Sequence, residues 1–253
     1  MVIPLRRIAR PLCSESTFLR RQLECVVKLP AARPVEVCTS LEHTRHLADD
    51  VASADECRRA VALAQGAMRI CCDDDGDGSR LFPPHVPEAV PLLGDSGSAL
   101  FAKLSERVKD RVCEQFGPVE HVNSLISWIS GSAAELGAAG IDDPTPRSFD
   151  AERDALQGTF APHVDKANQP TYDVSALLYL TTAGIDFRGG YFAFNDADRD
   201  RLIQPKAGRL LAFTSGFENL HQVRPVRCGE RLVLSIWFRR NDPQGGLPDD
   251  QTV

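Results

Sequence analysis

No run of apolar residues in this 253-residue chain approaches the ~18 that a membrane span needs. A multi-pass membrane protein is excluded. An excess of positive charge is also missing. Lys and Arg total 29 against 35 Asp and Glu, a net charge of −6, so general affinity for nucleic acid is not expected. The eight cysteines contain no Cys-x-x-Cys pair, which argues against a structural zinc ribbon. Buried free thiols are the simplest reading. Because Cys13, Cys25, Cys38, Cys57, Cys71, Cys72 and Cys113 all precede residue 114, a disulfide-bearing N-terminal half stays open. There is no internal repeat, no low-complexity tract and no Gly-rich phosphate loop. Ser215-Gly216 is no nucleophile elbow, since Phe213 stands where that motif needs Gly. The N-terminal stretch carries Arg6, Arg7 and Arg10, but no apolar core follows, so no secretory signal is recognised. The compartment, cytoplasm or endoplasmic reticulum lumen, stays open, and so does the oligomeric state.

What is there resembles an ordinary soluble globule, with 43% hydrophobic and 25% charged residues. The length suits one large domain or two small ones, with enough chain to bury a full core. Residues 1–50 read as an N-terminal extension, partly strand, with Leu23–Leu29 an extended candidate. Ser53-Ala-Asp-Glu56 reads as a capping box that opens a helix over 53–69, with Cys57, Val61, Ala64 and Met68 on one stripe. Residues 71–97 are rich in Asp, Gly and Pro and read as a long loop. A second helix is expected over 98–116, with Phe101, Leu104, Val108, Val112 and Phe116 as its apolar stripe and Gly117-Pro118 ending it. From residue 119 short strand-like runs follow: Val122–Ser130, Ala176–Leu180, Tyr191–Asn195, Arg209–Thr214 and Leu232–Phe238. Residues 131–157 form a loop long enough to suspect a functional role. Two helices followed by strands point to an α+β domain over 51–241, whose strand core, 119–240, is a sandwich or barrel. Residues 242–253 read as a polar tail.

His163-Val164-Asp165 carries the first chemical signal. In an extended segment residues i and i+2 share a face, roughly 7 Å apart along the backbone. An imidazole and a carboxylate there can converge on one metal. A second His would complete a 2-His-1-carboxylate triad, which leaves open positions and suits non-haem Fe(II). His221, after the turn at Ser215–Asn219, is the natural candidate. Ten positions later Arg231 begins an apolar strand. Arg231, Val233, Ser235 and Trp237 share one face of it; Leu232, Leu234, Ile236 and Phe238 share the other and should pack under the helices. A guanidinium inside the strand layer needs an anionic partner, either an internal Asp or Glu or a dicarboxylate co-substrate held in bidentate geometry.

These residues, together with Ala176-Leu-Leu-Tyr-Leu180, Gly189-Gly-Tyr-Phe192, Gly208-Arg209, Phe213 through His221, and Gly229-Glu-Arg231 through Ser235-Ile-Trp-Phe238, resemble the prolyl-hydroxylase-like 2-oxoglutarate- and Fe(II)-dependent dioxygenases. The nearest likeness is to the prolyl 3-hydroxylase (leprecan) catalytic domain and related oxygenase-domain proteins. The resemblance implies a double-stranded β-helix (jelly roll) with N-terminal helices packed on the larger sheet. It implies Fe(II) held by His163, Asp165 and His221, with 2-oxoglutarate, O2 and ascorbate as further participants. Arg231 and Tyr179 would meet the distal carboxylate of 2-oxoglutarate, and Ser235 and Trp237 would line the site. One departure from a neighbouring branch is Val233, where that branch has Ser two positions after the Arg. The implied reaction hydroxylates a protein or peptide side chain, prolyl by the likeness, with release of succinate and CO2. Asp165 argues against the halogenase variant, which replaces this carboxylate with a small residue. A dioxygenase acting on another residue or a small molecule, and a catalytically silent β-helix that binds a partner, are the alternatives. Asp73, Asp75, Asp77 and Gly78 imitate the first half of an EF-hand loop, but its last ligand position holds Pro84, so a solvated acidic loop is expected rather than a calcium site.

Overall fold

The computed structural model describes residues 34–41, 44–71, 79–131 and 161–241. The extended candidate at 23–29, the acidic loop at 73–78, most of the 131–157 loop and the 242–253 tail lie outside the described residues.

Helix α1 spans Ala54–Cys71, two residues beyond the expected end. Its start is the capping box read from the sequence: Ser53 Oγ accepts from the Glu56 N–H at 3.2 Å, and Glu56 Oε2 accepts from the Ser53 N–H at 2.9 Å. The same carboxylate receives both Nη atoms of Arg107 at 3.0 Å and Lys103 Nζ at 3.1 Å, which binds the first turn of α1 to the next helix. That helix, α2, spans Val90–Phe116 and is broken at Gly94, whose φ of 68° and ψ of 167° leave the helical region. It therefore starts well before the expected residue 98. Pro91, Gly94, Asp95 and Gly97 make its first turns look like loop; a short turn ahead of the Gly94 break carries too little periodicity to be read.

The described residues contain eleven strands: β1 Val35–Val37, β2 Arg45–Ala48, β3 Ser79–Phe82, β4 Val119–Gly131, β5 Val174–Tyr179, β6 Phe187–Gly189, β7 Phe192–Asn195, β8 Asp200–Ile203, β9 Leu210–Thr214, β10 His221–Val223 and β11 Val226–Arg240. They form a four-stranded sheet, β1-β8-β7-β10, and a seven-stranded sheet, β2-β9-β5-β11-β4-β3 with β6 also on β11. All pairings are antiparallel except β1 with β8. Two antiparallel sheets face to face agree with a jelly roll. Strands β1 and β2 lie within these sheets, so Val35–Val37 and Arg45–Ala48 are part of the sandwich. The presumed 71–97 loop contains β3, which pairs with β4 and buries Leu81 and Phe82. Four residues between turn formers show no period of their own; pairing with β4 makes them a strand.

The long strand β11 organises both faces of the larger sheet. Leu232, Leu234, Ile236 and Phe238 share one core cluster with Val174, Ala176 and Leu178 of β5 and with Ala60, Met68, Leu104 and Val108 of the helices. Residues of the opposite parity, Val233 on β11, Tyr179 on β5, and Leu211 and Phe213 on β9, form a second cluster with Phe192 and Phe194 of the smaller sheet. The alternation of a strand thus separates a helix-facing core from an inter-sheet layer. The chemistry-bearing residues sit in that inter-sheet layer. Among the described residues Cys38, Cys57, Cys113 and Cys228 are free thiols, and of these Cys38 and Cys57 are buried.

Candidate active site

Backbone pairing brings the two histidines side by side. His163 N–H donates to the His221 carbonyl at 2.8 Å, and His221 N–H donates back at 3.0 Å, an isolated bridge that clips the 161–164 segment to the start of β10. The rings stand 4.3 Å apart, tilted by 58°. Each ring is oriented by a carbonyl two residues earlier: His163 Nδ1 meets Ala161 O at 2.7 Å and His221 Nδ1 meets Asn219 O at 2.8 Å. A proton on each Nδ1 leaves each Nε2 lone pair free for a metal, the usual arrangement around a ligating imidazole. Phe192 stacks on the His221 ring at 5.0 Å and Phe213 meets it edge-on at 4.9 Å, so the ring has little room to turn.

Asp165 differs from its expected placement. Val164 is extended, but Asp165 opens a short helical turn, α3, over Asp165–Asn168. The carboxylate therefore reaches the histidines through a turn, not across a pleat. Both its oxygens look toward the histidines, Oδ2 standing 3.9 Å from His221 Nε2. Oδ2 accepts from Ser175 Oγ at 2.6 Å and from the Trp237 indole N–H at 3.1 Å. Oδ1 faces His163 Nε2 at 3.5 Å. One ligand atom from each of His163, Asp165 and His221 lies within 4.8 Å of the others. A single cation bound at ~2.0–2.2 Å from each could bridge such a set.

The electrostatics favour an ionised carboxylate beside imidazoles of unequal basicity. Burial alone would raise the Asp165 pKa, but His221, His163 and the Ser175 hydroxyl outweigh it and hold the group well below the usual carboxylate range. For His163, burial works against protonation, yet the hydrogen bond and charge of Asp165 prevail and the pKa rises above 6.5. His221 falls to about 4, through burial first and the repulsion of His163 second.

Further along the inter-sheet layer lies Arg231, 1% exposed. Its Nε donates to Gly190 O at 2.9 Å, its Nη2 has no partner, and the Tyr179 hydroxyl beneath it has none either. The guanidinium carbon sits 5.6 Å from the Tyr179 ring centroid. Burial pushes the phenol up to about 12, against the pull of Arg231 and Arg209, so it stays a neutral donor. Among the described residues no carboxylate pairs with Arg231, so the internal ion pair is not the solution adopted here. A buried cationic donor and a buried hydroxyl, both unsatisfied and adjacent, fit an incoming carboxylate. Between Arg231 and Trp237 lies Ser235, in register with Leu125 on one side and Leu177 on the other, all three half-buried. Trp237, expected to line the site, gives its indole N–H to Asp165, and Tyr172 stacks on its indole at 5.1 Å and 11°.

Residues 153–239 match the sequence model of the 2OG-Fe(II) oxygenase superfamily, a span that holds the triad, Tyr179 and Arg231. That segment is similar to the superfamily over its whole matched length. The chain is 27% identical over 240 residues to the human 2-oxoglutarate and iron-dependent oxygenase domain-containing protein 3, covering 90% of the chain and 72% of that relative. It is 30% identical over 227 residues to human prolyl 3-hydroxylase 2, covering 77% of the chain but only 29% of the relative. Its fold matches the crystal structure of a 2OG-Fe(II) oxygenase family oxidoreductase from Burkholderia pseudomallei, with a TM-score of 0.52 and 19% identity over 83% of this chain and 96% of that one.

The superfamily implies Fe(II), 2-oxoglutarate and O2, and the residues present fit them. Two imidazoles and one carboxylate with open positions suit Fe(II). The unpaired Arg231 Nη2 and Tyr179 Oη suit the far carboxylate of 2-oxoglutarate. Sequence reasoning missed Ser175 and Ser215, whose hydroxyls lie 2.7 Å apart behind Asp165. Strand parity carried a signal for the first: Ser175 shares the Tyr179 face of β5 and pairs in register with Trp237. No sequence signal points to Ser215, which a separate loop delivers.

Proposed function

We propose that this chain is an Fe(II)- and 2-oxoglutarate-dependent dioxygenase that hydroxylates a prolyl side chain of a protein or peptide. The observation that carries the reading is the convergence of His163, Asp165 and His221 within 4.8 Å. In this reading the three residues would hold Fe(II), which would take 2-oxoglutarate and O2 as its further partners. The bound metal and co-substrate supply oxidative decarboxylation to succinate and CO2, coupled to oxidation of a substrate C–H bond.

This chain's own residues supply placement. Ala161 O and Asn219 O fix the histidine tautomers. Ser175 and Trp237 occupy Asp165 Oδ2 and turn Oδ1 toward the metal. Arg231 anchors the co-substrate by its far carboxylate, and the Tyr179 hydroxyl donates to the same group. Phe192 and Phe213 keep water from the back of His221.

The prolyl assignment is supported by similarity to human prolyl 3-hydroxylase 2, and the protein-level substrate by the same likeness. A proline-rich strand is already extended as polyproline II, so docking it costs little ordering entropy. The test is to incubate the full chain with Fe(II), 2-oxoglutarate and ascorbate against Pro-containing peptides and to seek one added oxygen on Pro by mass spectrometry. Oxygenation of Pro with matched succinate supports the assignment. Stoichiometric succinate driven by a non-Pro peptide or a metabolite contradicts it and leaves the dioxygenase reading standing.

A further inference from the structure

We propose that Arg45, on a strand outside the segment that matches the superfamily, is a positioning residue for the His221 imidazole and acts through Asn219. The inference rests on the reading of His221 as a metal ligand. His221 is oriented by one bond, from its Nδ1 to the backbone carbonyl of Asn219 at 2.8 Å. Whatever holds Asn219 therefore holds the ring.

Asn219 is 1% exposed, and its amide is fully used. Nδ2 donates to Thr214 O at 2.8 Å and to Thr214 Oγ1 at 2.9 Å. Oδ1 accepts from Arg45 Nε at 2.6 Å. The guanidinium is itself locked. Its two Nη atoms meet the two carboxylate oxygens of Asp196 at 2.9 and 2.5 Å, and Nη2 also meets Glu218 O at 3.3 Å. Its plane lies 3.9 Å over the Phe194 ring, which packs edge-on against Phe213, the ring that backs His221. Register explains the placement: Arg45 pairs with Phe213 on β9, and Phe194 pairs with His221 on β7 and β10. Arg45 thus clamps the His221 turn from both sides, through Asn219 and through the Phe194–Phe213 stack.

Removing the guanidinium would leave a buried Oδ1 unpaired and free the 217–219 turn to shift. Lysine would not substitute. An ammonium drawn to Asp196 lacks the planar fork that serves Asp196 and Asn219 together. Arg201 provides the control, because its Nε also pairs with Asp196, at 2.7 Å, while making no bond to Asn219.

The experiment uses the full chain and two readouts. The His221 tautomer is read in the metal-free protein by long-range 1H–15N correlation, and Co(II) affinity and its visible spectrum are read by titration. Arg45→Ala should convert a single Nδ1–H tautomer into a mixture, weaken Co(II) roughly 10- to 100-fold and alter the spectrum. Arg45→Lys should fall between, and it carries the test if the alanine variant does not fold. Arg201→Ala should match the wild type in both. A wild-type tautomer and Co(II) affinity in the folded Arg45 variants would overturn the proposal, as would an equal loss in Arg201→Ala. Failure of the wild type to bind Co(II) would remove the metal reading, while the tautomer comparison would still decide the positioning claim.

Discussion

Trp237 donates its indole N–H to Asp165 Oδ2 at 3.1 Å, across 72 residues of chain. An aromatic residue on the Arg231 strand is thereby part of the metal side of the site. Trp237→Phe keeps the stack on Tyr172 and removes only the donor. Metal affinity should fall several-fold to about tenfold, as when a partner of a ligand is lost. The 2-oxoglutarate Kd should hold. Calorimetric titration with Mn(II), then with 2-oxoglutarate, separates the two effects.

Arg231 and Gly190 form a second linked pair. Gly190 has φ of +65°, and a Cβ there would come within 3.0 Å of Arg231 Cδ and 2.8 Å of the Phe187 ring. Gly190→Ala should displace the guanidinium, strain the turn and weaken 2-oxoglutarate binding without loss of the metal. Arg231→Met should do so more strongly, because it deletes the charge. Unchanged 2-oxoglutarate binding in Arg231→Met would remove Arg231 from the account.

Metal binding should release a proton near pH 6.5. His163 has a raised pKa and is more than half protonated there, whereas His221, at about 4, is already neutral. A cation must displace the His163 proton, so metal binding should release protons. The sign for stability follows. The protonated His163 stabilises the metal-free fold below the ordinary value of 6.5, and that contribution fades as pH rises through the raised folded value. Titrations in buffers of different ionisation enthalpy count the protons directly.

Glu56 joins the capping box of α1 to Arg107 of α2. Hydrogen bonds from Arg107 and then from the Ser53 N–H hold its pKa well below the ordinary 4.5. Its contribution is present above 4.5 and is lost as pH falls through the lower folded value. Glu56→Ala should cost about 1–2 kcal/mol at neutral pH, lowering Tm by about 2–8 °C in a domain of this size. The gap should narrow in acid. Thermal melts at pH 7 and pH 3 check both parts.

The sequence made some layers legible and hid others. The capping box at Ser53–Glu56 and the alternating face of β11 were readable because each depends on local spacing or strand parity, whereas His163, Asp165, His221 and Arg231 stood out through the family resemblance, a turn rather than strand parity placing Asp165. Strands β1, β2, β3, β6 and β8 were not, because three or four residues carry no measurable period and become strands by pairing. The start of α2 was masked by Gly94 and its polar neighbours. Ser215, Asn219 and Arg45 act through contacts between segments far apart in the chain, and no single-segment pattern encodes those.

The central claim is that one Fe(II) binds among His163, Asp165 and His221 and drives 2-oxoglutarate turnover. The most direct measurement is Fe(II) stoichiometry and succinate release for the anaerobically purified wild type and the His221→Ala variant at saturating Fe(II). The account predicts about one iron per chain with oxygen-dependent succinate in the wild type, and loss of most iron and all turnover in the variant. Full turnover in His221→Ala would contradict it.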